Sequence, residues 1–587
     1  MTKYTTLYLF FLLALIGCGQ SSDTDFSTRF EKSEGKETAT YNETIEYFEK
    51  LADTSPFVKL QTFGTTDADK PLHLAIFDFD QDFNFKKSRT KKKAIVFINN
   101  GIHPGEPSGI DASMLFYREL IQNDSLRQQL KDIVIASVPI YNIGGAFNRS
   151  SFSRANQQGP DAYGFRGNSR NFDLNRDFIK LDSENAKTFT RIYQLIQPDV
   201  FLDTHTSNGA DYQHIMTLLT GQIEKMGEDV GSYVRSTFEP LLYQEMHEKG
   251  FPMVPYVHSL GKTPDTGITA FYDSPRYSTG YSATFHALSF ITETHMLKTY
   301  KQRVDATYAF IETLIKTTAT EKETIKSLRE KAITKAKTAD EFTLHWEIDT
   351  SRYDMIPFKG YTAKYKPSLI SGKERLYYDR NEPWEKEIPY YSYYTPVQKI
   401  KTPKAYIIPK AWKEVIRRLQ VNKVKMSPIS EDTTMMVTAY RIADLNTVKS
   451  PFEGHYLHYQ TKTETIQTEI SFKKGDWLIP LNQDRNRFIV EVLEPSAPDS
   501  YFNWNFFDTI LQQKEWYSSY VFEDLAVQYL EEHPEIRAKL EAKKLEDPAF
   551  AENGASQLYF VYKQTPYYEK EHLRYPIFRV EKEALAL

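Results

Sequence analysis

The 587-residue sequence contains a single cysteine, Cys18, so no disulfide can form within the chain and its folding relies on packing. It also lacks an excess of basic residues, because 73 Lys and Arg stand against 78 Asp and Glu, for a net charge of −5. This balance gives no positive field for a phosphate backbone and argues against a nucleic-acid partner. Long apolar runs are absent too: residues 7–16 supply about half of the roughly twenty residues that a membrane-spanning helix needs.

The N-terminal segment has the features of an export signal. Lys3 precedes the apolar run of residues 7–16, and Cys18 ends the tetrapeptide LIGC. The segment resembles a bacterial lipoprotein signal peptide with its lipobox. This resemblance implies cleavage before Cys18, lipidation of the thiol, and an exported protein anchored to a membrane. Gly19 after the cysteine favours the outer membrane.

Changes in composition divide the chain into segments. We assign residues 1–17 to the signal peptide and 18–40 to a polar tether rich in Thr, Ser and Glu. Residues 41–315 form the predicted catalytic domain, and the charged stretch 316–340 is a helical linker. Residues 341–587 form a second, β-rich accessory domain. At 587 residues the chain exceeds the usual size of a single domain, which agrees with two.

Short apolar runs alternate with helical patterns in the first domain, which indicates an α/β fold with a mixed, largely buried sheet flanked by helices. We predict strands near 71–79, 93–99, 132–140, 199–205 and 286–293, and helices near 108–122, 182–197 and 301–317. In the second domain we predict strands within 405–408, 475–481 and 488–493, and a helix near 519–545.

A His-x-x-Glu motif, His103 to Glu106, follows the apolar strand predicted near 93–99, and His205 ends another apolar run about a hundred residues later. Zinc binds imidazole nitrogen and carboxylate oxygen, and catalytic zinc sites use three protein ligands with an open position for water. Pro104, Gly105 and Pro107 exclude a regular helix at the motif. The ligand set His103, Glu106 and His205 therefore predicts one catalytic zinc ion per chain. The His-x-x-Glu part of this set lies on a strand-to-helix loop.

Between the ligands lies the segment NFDLNRDF, residues 171–178. With this Asp-x-Asn-Arg motif, the His-x-x-Glu, a histidine on a strand and a glutamate on a late strand, the chain resembles the M14 (carboxypeptidase A-like) zinc carboxypeptidases over about 200 residues. The resemblance implies that Asn175 and Arg176 bind the terminal carboxylate of a substrate, and that Asp173 orients the first zinc histidine. Both roles suit the chemistry, because Arg offers a planar fork to a carboxylate and an acid fixes the tautomer of a ligating His.

The same resemblance makes Glu293 the catalytic carboxylate, and a glutamate entering an apolar strand is costly unless it has a function. An arginine that polarises the scissile carbonyl is also implied. Arg154 has the best spacing, with Arg166 and Arg170 as alternatives. The tyrosine that closes over substrate is Tyr277 or Tyr281, and we favour Tyr277. Asp203, two residues before His205, is either a partner of the metal site or a polar residue at the strand end, and both readings stay open. His295, two residues after Glu293, is interpreted as a structural residue and is not assigned to zinc.

The sequence therefore predicts a zinc metallopeptidase that removes C-terminal residues from peptides. Two alternatives remain. One is a zinc amidase that acts on cell-wall stem peptides or N-acyl amino acids. The other is a non-catalytic lipoprotein that binds peptides or glycans through its tyrosine-rich second domain.

Overall fold

In the computed structural model, residues 25–581 are described. The helices are α1 (Arg29–Lys32), α2 (Tyr41–Thr54), α3 (Phe85–Thr90), α4 (Ser108–Gln122), α5 (Asp124–Gln129), α6 (Ile143–Phe147), α7 (Glu184–Ile196), α8 (Ile223–Met226), α9 (Glu228–Tyr233), α10 (Glu239–Glu248), α11 (Ser278–Ala283), α12 (Tyr300–Thr320), α13 (Lys322–Thr338), α14 (Lys413–Val421), α15 (Asn486–Leu493), α16 (Ser519–Glu532), α17 (Pro534–Glu546), α18 (Pro548–Ala551) and α19 (Gly554–Tyr562).

The strands are β1 (Val58–Phe63), β2 (Leu72–Asp78), β3 (Ala94–Asn99), β4 (Ile133–Val138), β5 (Val200–Ser207), β6 (Met216–Thr220), β7 (Val254–Pro255), β8 (His258–Ser259), β9 (Ile268–Thr269), β10 (Leu288–His295), β11 (Glu341–Ile348), β12 (Asp354–Pro367), β13 (Glu374–Tyr391), β14 (Tyr394–Lys401), β15 (Ala405–Ile408), β16 (Ser427–Pro428), β17 (Thr433–Thr447), β18 (His458–Phe472), β19 (Trp477–Pro480) and β20 (Phe578–Val580).

An eight-stranded mixed sheet in the order β1-β2-β4-β3-β5-β10-β6-β7 forms the centre of the first domain. Its four middle strands, β4, β3, β5 and β10, run parallel. All residues of β3, β4 and β5 are buried, as expected where helices cover both faces of a sheet and the strands read as continuous apolar runs. The predicted α/β fold is confirmed.

The parallel order brings the carboxyl ends of β3, β5 and β10 to one edge of the sheet. Loops that leave this edge converge, which is where open α/β sheets carry their sites. The predicted site residues on β5 and β10, and those on the loop after β3, lie at this edge. The helix predicted near 108–122 is found as α4, which begins directly after the His-x-x-Glu loop.

The C-terminal part contains a six-stranded sheet, in the order β16-β19-β15-β20-β17-β18, and a small helical cluster, α16 to α19, with its own apolar core. It is interlocked with the first domain. The long hairpin β12–β13 pairs with β9 of the first domain, and Phe285 stacks on Phe488 with ring centres 5.4 Å apart. The composition and the type of secondary structure change at the boundary predicted at residue 341. The hydrophobic core nevertheless continues across it, because buried residues from both sides belong to one cluster.

Two sequence predictions need correction. The polar tether predicted for residues 18–40 is wrong for residues 25–40, because Phe26 and Phe30 are buried and Thr28 caps α1. The strand predicted at 488–493 is the helix α15, whose eight residues are all buried. A short apolar run fits a buried strand and a buried helix equally well, and periodicity cannot separate them.

The predicted signal peptide, Cys18 and the first residues of the tether lie outside the described residues. Between residues 25 and 581, no helix is both long enough and apolar enough to cross a bilayer.

Candidate functional site

The three predicted metal ligands meet at the carboxyl edge of the sheet. His103 and Glu106 belong to the loop between β3 and α4, where the Glu106 N–H donates to the carbonyl of His103 at 2.8 Å and closes a tight turn. His205 lies on β5. One ligand atom from each residue lies within 4.8 Å of the others, and all three side chains are buried.

The two histidines present the same atom to this point. His103 Nδ1 and His205 Nδ1 each lie 3.3 Å from a carboxylate oxygen of Glu106. His103 Nδ1 is buried and has no hydrogen-bond partner within residues 25–581. A buried polar atom without a partner is costly, and a metal ion would satisfy it. Two imidazole nitrogens and a carboxylate oxygen are a donor set that suits zinc.

Carboxylates on the far side of each imidazole fix the orientation of these rings. His103 Nε2 lies 2.9 Å from Asp173 Oδ1, and His205 Nε2 lies 3.1 Å from Asp203 Oδ2. The hydrogen bond with Asp173 holds His103 in its Nε2–H tautomer, which leaves Nδ1 free to bind a metal. Asp203 makes an ion-pair contact with His205 Nε2 without hydrogen-bond geometry. The structure thus brings Asp173 to its predicted position and places Asp203 beside the second histidine.

The electrostatics of the ligands agree with this arrangement. Burial opposes ionisation of Glu106, yet Arg154 and His103 hold the pKa of its carboxyl well below the usual range. Asp173 behaves in the same way: burial works against ionisation, but His103 and Arg166 lower its pKa. Both carboxylates are therefore charged, as a ligand and a ligand partner should be.

Glu293 stands next to the metal ligands on the neighbouring strand. It pairs in register with His205 across β5 and β10, so both side chains project from the same face of the sheet. Its Oε2 is buried and makes no hydrogen bond among the described residues. Burial, opposed by His205, raises the pKa of Glu293 to about 7. A carboxylate with a raised pKa is suited to accept and return a proton near neutral pH.

The three candidate arginines occupy different places. Arg154 points into the site, with Nη1 2.6 Å from Glu106 Oε1 and Nη2 donating to the carbonyl of Thr206 at 3.0 Å. Arg166 forms a fork with Asp173, at 2.9 Å from both Nε and Nη2. Arg170 faces away, stacks over Phe172 and binds the carbonyl of Asp182. Arg154 therefore remains the first candidate for the arginine that polarises the scissile carbonyl. Arg166 lies beside it, and the position of Arg170 excludes it from this role.

Asn175 and Arg176 lie on the turn that also carries Asp173. Asn175 Oδ1 accepts the N–H of Ser278 at 3.0 Å, which leaves its side-chain NH₂ to donate elsewhere. The Arg176 guanidinium lies over the ring of Tyr277, 4.5 Å from its centre. Tyr281 is fully buried and its hydroxyl binds Gln194 and Asn422, so it cannot close over a substrate.

Sequence reasoning missed Tyr256. It follows the two-residue strand β7. Burial raises the pKa of its hydroxyl, and the charges of Glu293 and Glu106 raise it further. Tyr256 therefore lies within electrostatic range of both carboxylates. A lone tyrosine between two very short strands has no sequence pattern that marks it. It is a second candidate beside Tyr277 for contact with a substrate.

The sequence also gave no sign that the C-terminal part touches the site. The Asp173 N–H donates to Glu453 Oε2 at 2.8 Å, across 280 positions in sequence. Gly454 has a φ of +81°, and a Cβ there would lie 3.0 Å from Phe172, so this close approach requires glycine. The turn at residues 452–455 thus braces the Asp-x-Asn-Arg turn from outside.

Two further histidines are structural. His295 Nε2 donates to the carbonyl of Ala210 at 2.8 Å, and burial lowers its pKa to about 4. His455 Nε2 lies 2.7 Å from Asp182 and helps to hold the turn at 452–455. Neither belongs to the candidate metal centre, as predicted for His295.

The fold and this donor set provide a possible metal-binding triad at the carboxyl edge of the sheet. Residues 44–219 match the family model described as zinc carboxypeptidase, of the M14 peptidases. The chain is 21% identical over 431 residues to carboxypeptidase 2 of Trichophyton rubrum, which covers 70% of this chain and 74% of that protein. A similar match is found to carboxypeptidase 2 of Trichophyton tonsurans, 21% identical over 430 residues.

Among solved structures, the metallo-carboxypeptidase from Burkholderia cenocepacia is 14% identical, with a TM-score of 0.36 over 48% of this chain and 70% of that one. Carboxypeptidase A from Helicoverpa armigera is similar at the same identity and TM-score. The family model and the curated relatives support a zinc metallopeptidase similar to the M14 zinc carboxypeptidases.

Proposed function

We propose that the protein is a carboxypeptidase that binds one zinc ion per chain and hydrolyses the C-terminal bond of peptides. The observation that carries this proposal is the turn at residues 173–176. Asp173 holds the first zinc histidine, and Asn175 and Arg176 follow it directly. A substrate carboxylate bound by Arg176 is thereby held at a fixed distance from the metal ligands. An exopeptidase needs this fixed distance so that the last peptide bond of the substrate lies at the metal.

His103, Glu106 and His205 would hold the zinc ion, which when bound acidifies a water molecule and polarises the scissile carbonyl. Glu293 accepts the proton of the attacking water and later delivers it to the leaving amine. Its position in register with His205 on the neighbouring strand supports both steps. Arg154 stabilises the negative charge that develops on the carbonyl oxygen.

The substrate's C-terminal residue is held from three sides. Arg176 and the NH₂ of Asn175 bind its carboxylate, and the Tyr277 ring beneath the guanidinium limits the motion of Arg176. Tyr256 and Tyr277 are the candidates to cover the bound residue.

Hydrolysis of blocked dipeptides tests this proposal. A substrate with a free C-terminal carboxylate should be cleaved in the presence of zinc, and its C-terminally amidated analogue should be cleaved much more slowly. Loss of activity on chelation and recovery with zinc should accompany this preference. Equal cleavage of the free and amidated substrates would favour the zinc amidase alternative over the carboxypeptidase.

We further propose that the enzyme is exported and anchored to a bacterial membrane through lipid on Cys18. The support is the lipobox-like LIGC sequence and the short apolar run before it. The native protein should partition with membranes and be released by detergent, whereas Cys18→Ser should not incorporate labelled fatty acid. Labelling of Cys18→Ser equal to that of wild type would contradict the assignment.

A further inference from the structure

A cavity of about 560 Å³ lies outside the catalytic centre, between α10, the strand β7 and the hairpin β12–β13. None of the proposed metal ligands or catalytic residues lines it. Its wall approaches the centre at Phe271, whose ring packs edge-on against Tyr277 at 5.1 Å. The cavity is therefore a separate space, one aromatic layer away from the residues that bind the substrate carboxylate.

The charges that line the cavity do not balance. Glu385 is paired with Lys359 at 3.2 Å, and Asp354 lies 4.0 Å from Arg235. The third carboxylate, Glu239, has no ion-pair partner within residues 25–581. Burial raises the pKa of Glu239, and Arg235 opposes this shift only in part. An unpaired carboxylate in a buried setting is costly unless it has a partner from outside.

Further polar groups lie in the cavity wall. The hydroxyls of Thr220 and Tyr243 flank the Glu239 carboxyl and lower its pKa against the effect of burial. They carry no charge, so Glu239 stays a carboxylate of this wall without an ion-pair partner among the described residues. A cavity that combines a mostly apolar wall with a few converging polar groups is typical of a small-molecule site.

The rest of the wall is aromatic and apolar. Tyr243, Tyr390 and Phe271 line the cavity together with Val254 and Ile356. Aromatic faces attract cations as well as apolar groups. A carboxylate surrounded by aromatic rings is thus matched to a ligand that is cationic at one end and apolar along its body.

We propose that this cavity binds an organic cation, whose ammonium or guanidinium group pairs with Glu239 and whose aliphatic or aromatic body lies against Tyr243, Tyr390 and Phe271. A free amine and the side chain of a lysine or arginine in a peptide share this chemistry.

Calorimetric titration of the full-length protein with 4-phenylbutylamine, and with 4-phenylbutanol as the neutral match, tests the proposal. The amine should bind saturably and at least about tenfold more tightly than the alcohol, because only the amine pairs with the buried carboxylate. Binding should persist after zinc is removed with a chelator, which separates this site from the metal centre. Equal affinities for amine and alcohol, or loss of amine binding with zinc, would overturn it.

A matched pair of variants locates the binding group. Glu239→Gln should weaken amine binding by about tenfold or more, whereas Glu385→Gln, at an exposed carboxylate already paired with Lys359, should leave it unchanged. Equal effects of the two substitutions would contradict the assignment. The comparison of amine with alcohol needs no variant, so the proposal stays testable if Glu239→Gln does not fold.

Blocked, amidated peptides distinguish the two sources of the cation. Binding of N-acetyl-Gly-Lys-Gly-amide to the wild type but not to Glu239→Gln would assign the cavity to a peptide side chain. Binding of the amine without the peptide would assign it to a small free amine. Because binding is measured without turnover, its failure would leave the proposed peptidase function untouched.

Discussion

Replacing Asp203 by asparagine should weaken zinc binding while the fold persists. Asp203 is fully buried, with Oδ2 3.1 Å from His205 Nε2, and its Oδ1 accepts from Asn99 Nδ2 at 3.2 Å. Asparagine has nearly the same shape but only one acceptor oxygen. It must therefore lose the contact with Asn99 or turn an NH₂ group toward His205, and in both cases the negative charge beside the ligand is gone.

The size of the effect follows from this geometry. Loss of a carboxylate behind a metal-binding histidine typically costs about 10–100-fold in metal affinity or activity. That range corresponds to about 1.4–2.8 kcal/mol. The full burial of Asp203 favours the upper half of the range, because solvent cannot replace the lost charge.

Competition with a chelating dye measures the zinc Kd of wild type and Asp203→Asn. Asp78→Asn is the matched control, since Asp78 is also buried and charged, with Lys93 Nζ at 2.8 Å, but lies at the opposite edge of the sheet. The control should lower the melting temperature and leave the zinc Kd unchanged. If Asp203→Asn kept the wild-type Kd, Asp203 would be a structural residue and the ligand geometry argued above would be wrong.

Three further substitutions test the proposed roles. Glu293→Gln should keep zinc and lose about 10²–10⁴-fold in kcat, because an amide cannot accept the water proton, and near-native turnover would remove Glu293 as the base. Arg176→Ala should reduce kcat/KM about tenfold or more on free C-terminal carboxylates while amidated substrates change little, and equal losses on both would make Arg176 structural. Glu453→Ala should lower kcat/KM about fivefold and Glu453→Gln should restore most of it, because the amide oxygen still accepts from the Asp173 N–H. Glu464→Ala, at an exposed strand position, is the control, and failure of Glu453→Gln to rescue would show that charge rather than position matters at Glu453.

Local patterns predicted the elements that build the site. The helix predicted at 108–122 coincides with α4, because its apolar spacing and the prolines before it both mark the start of a helix. The strands that carry His205 and Glu293 were visible as apolar runs that end in a polar residue. The order of motifs along the chain then linked these residues to one edge of the sheet.

Contacts between distant parts of the chain could not be predicted in this way. Glu453 reaches Asp173 across 280 positions, and nothing in its own neighbourhood marks it as part of a site. Burial of Phe26 and Phe30 likewise depends on a surface formed by later residues, so a polar composition misled the prediction for residues 25–40. Helix α15 shows the same limit, since its environment rather than its sequence period selects the helix.

The metal content of purified protein tests the central claim most directly. Elemental analysis of wild type should find about one zinc per chain, and His205→Ala should retain almost none, because His205 supplies one of only three protein ligands. A folded His205→Ala protein that keeps a full equivalent of zinc would contradict the metal centre on which the account rests.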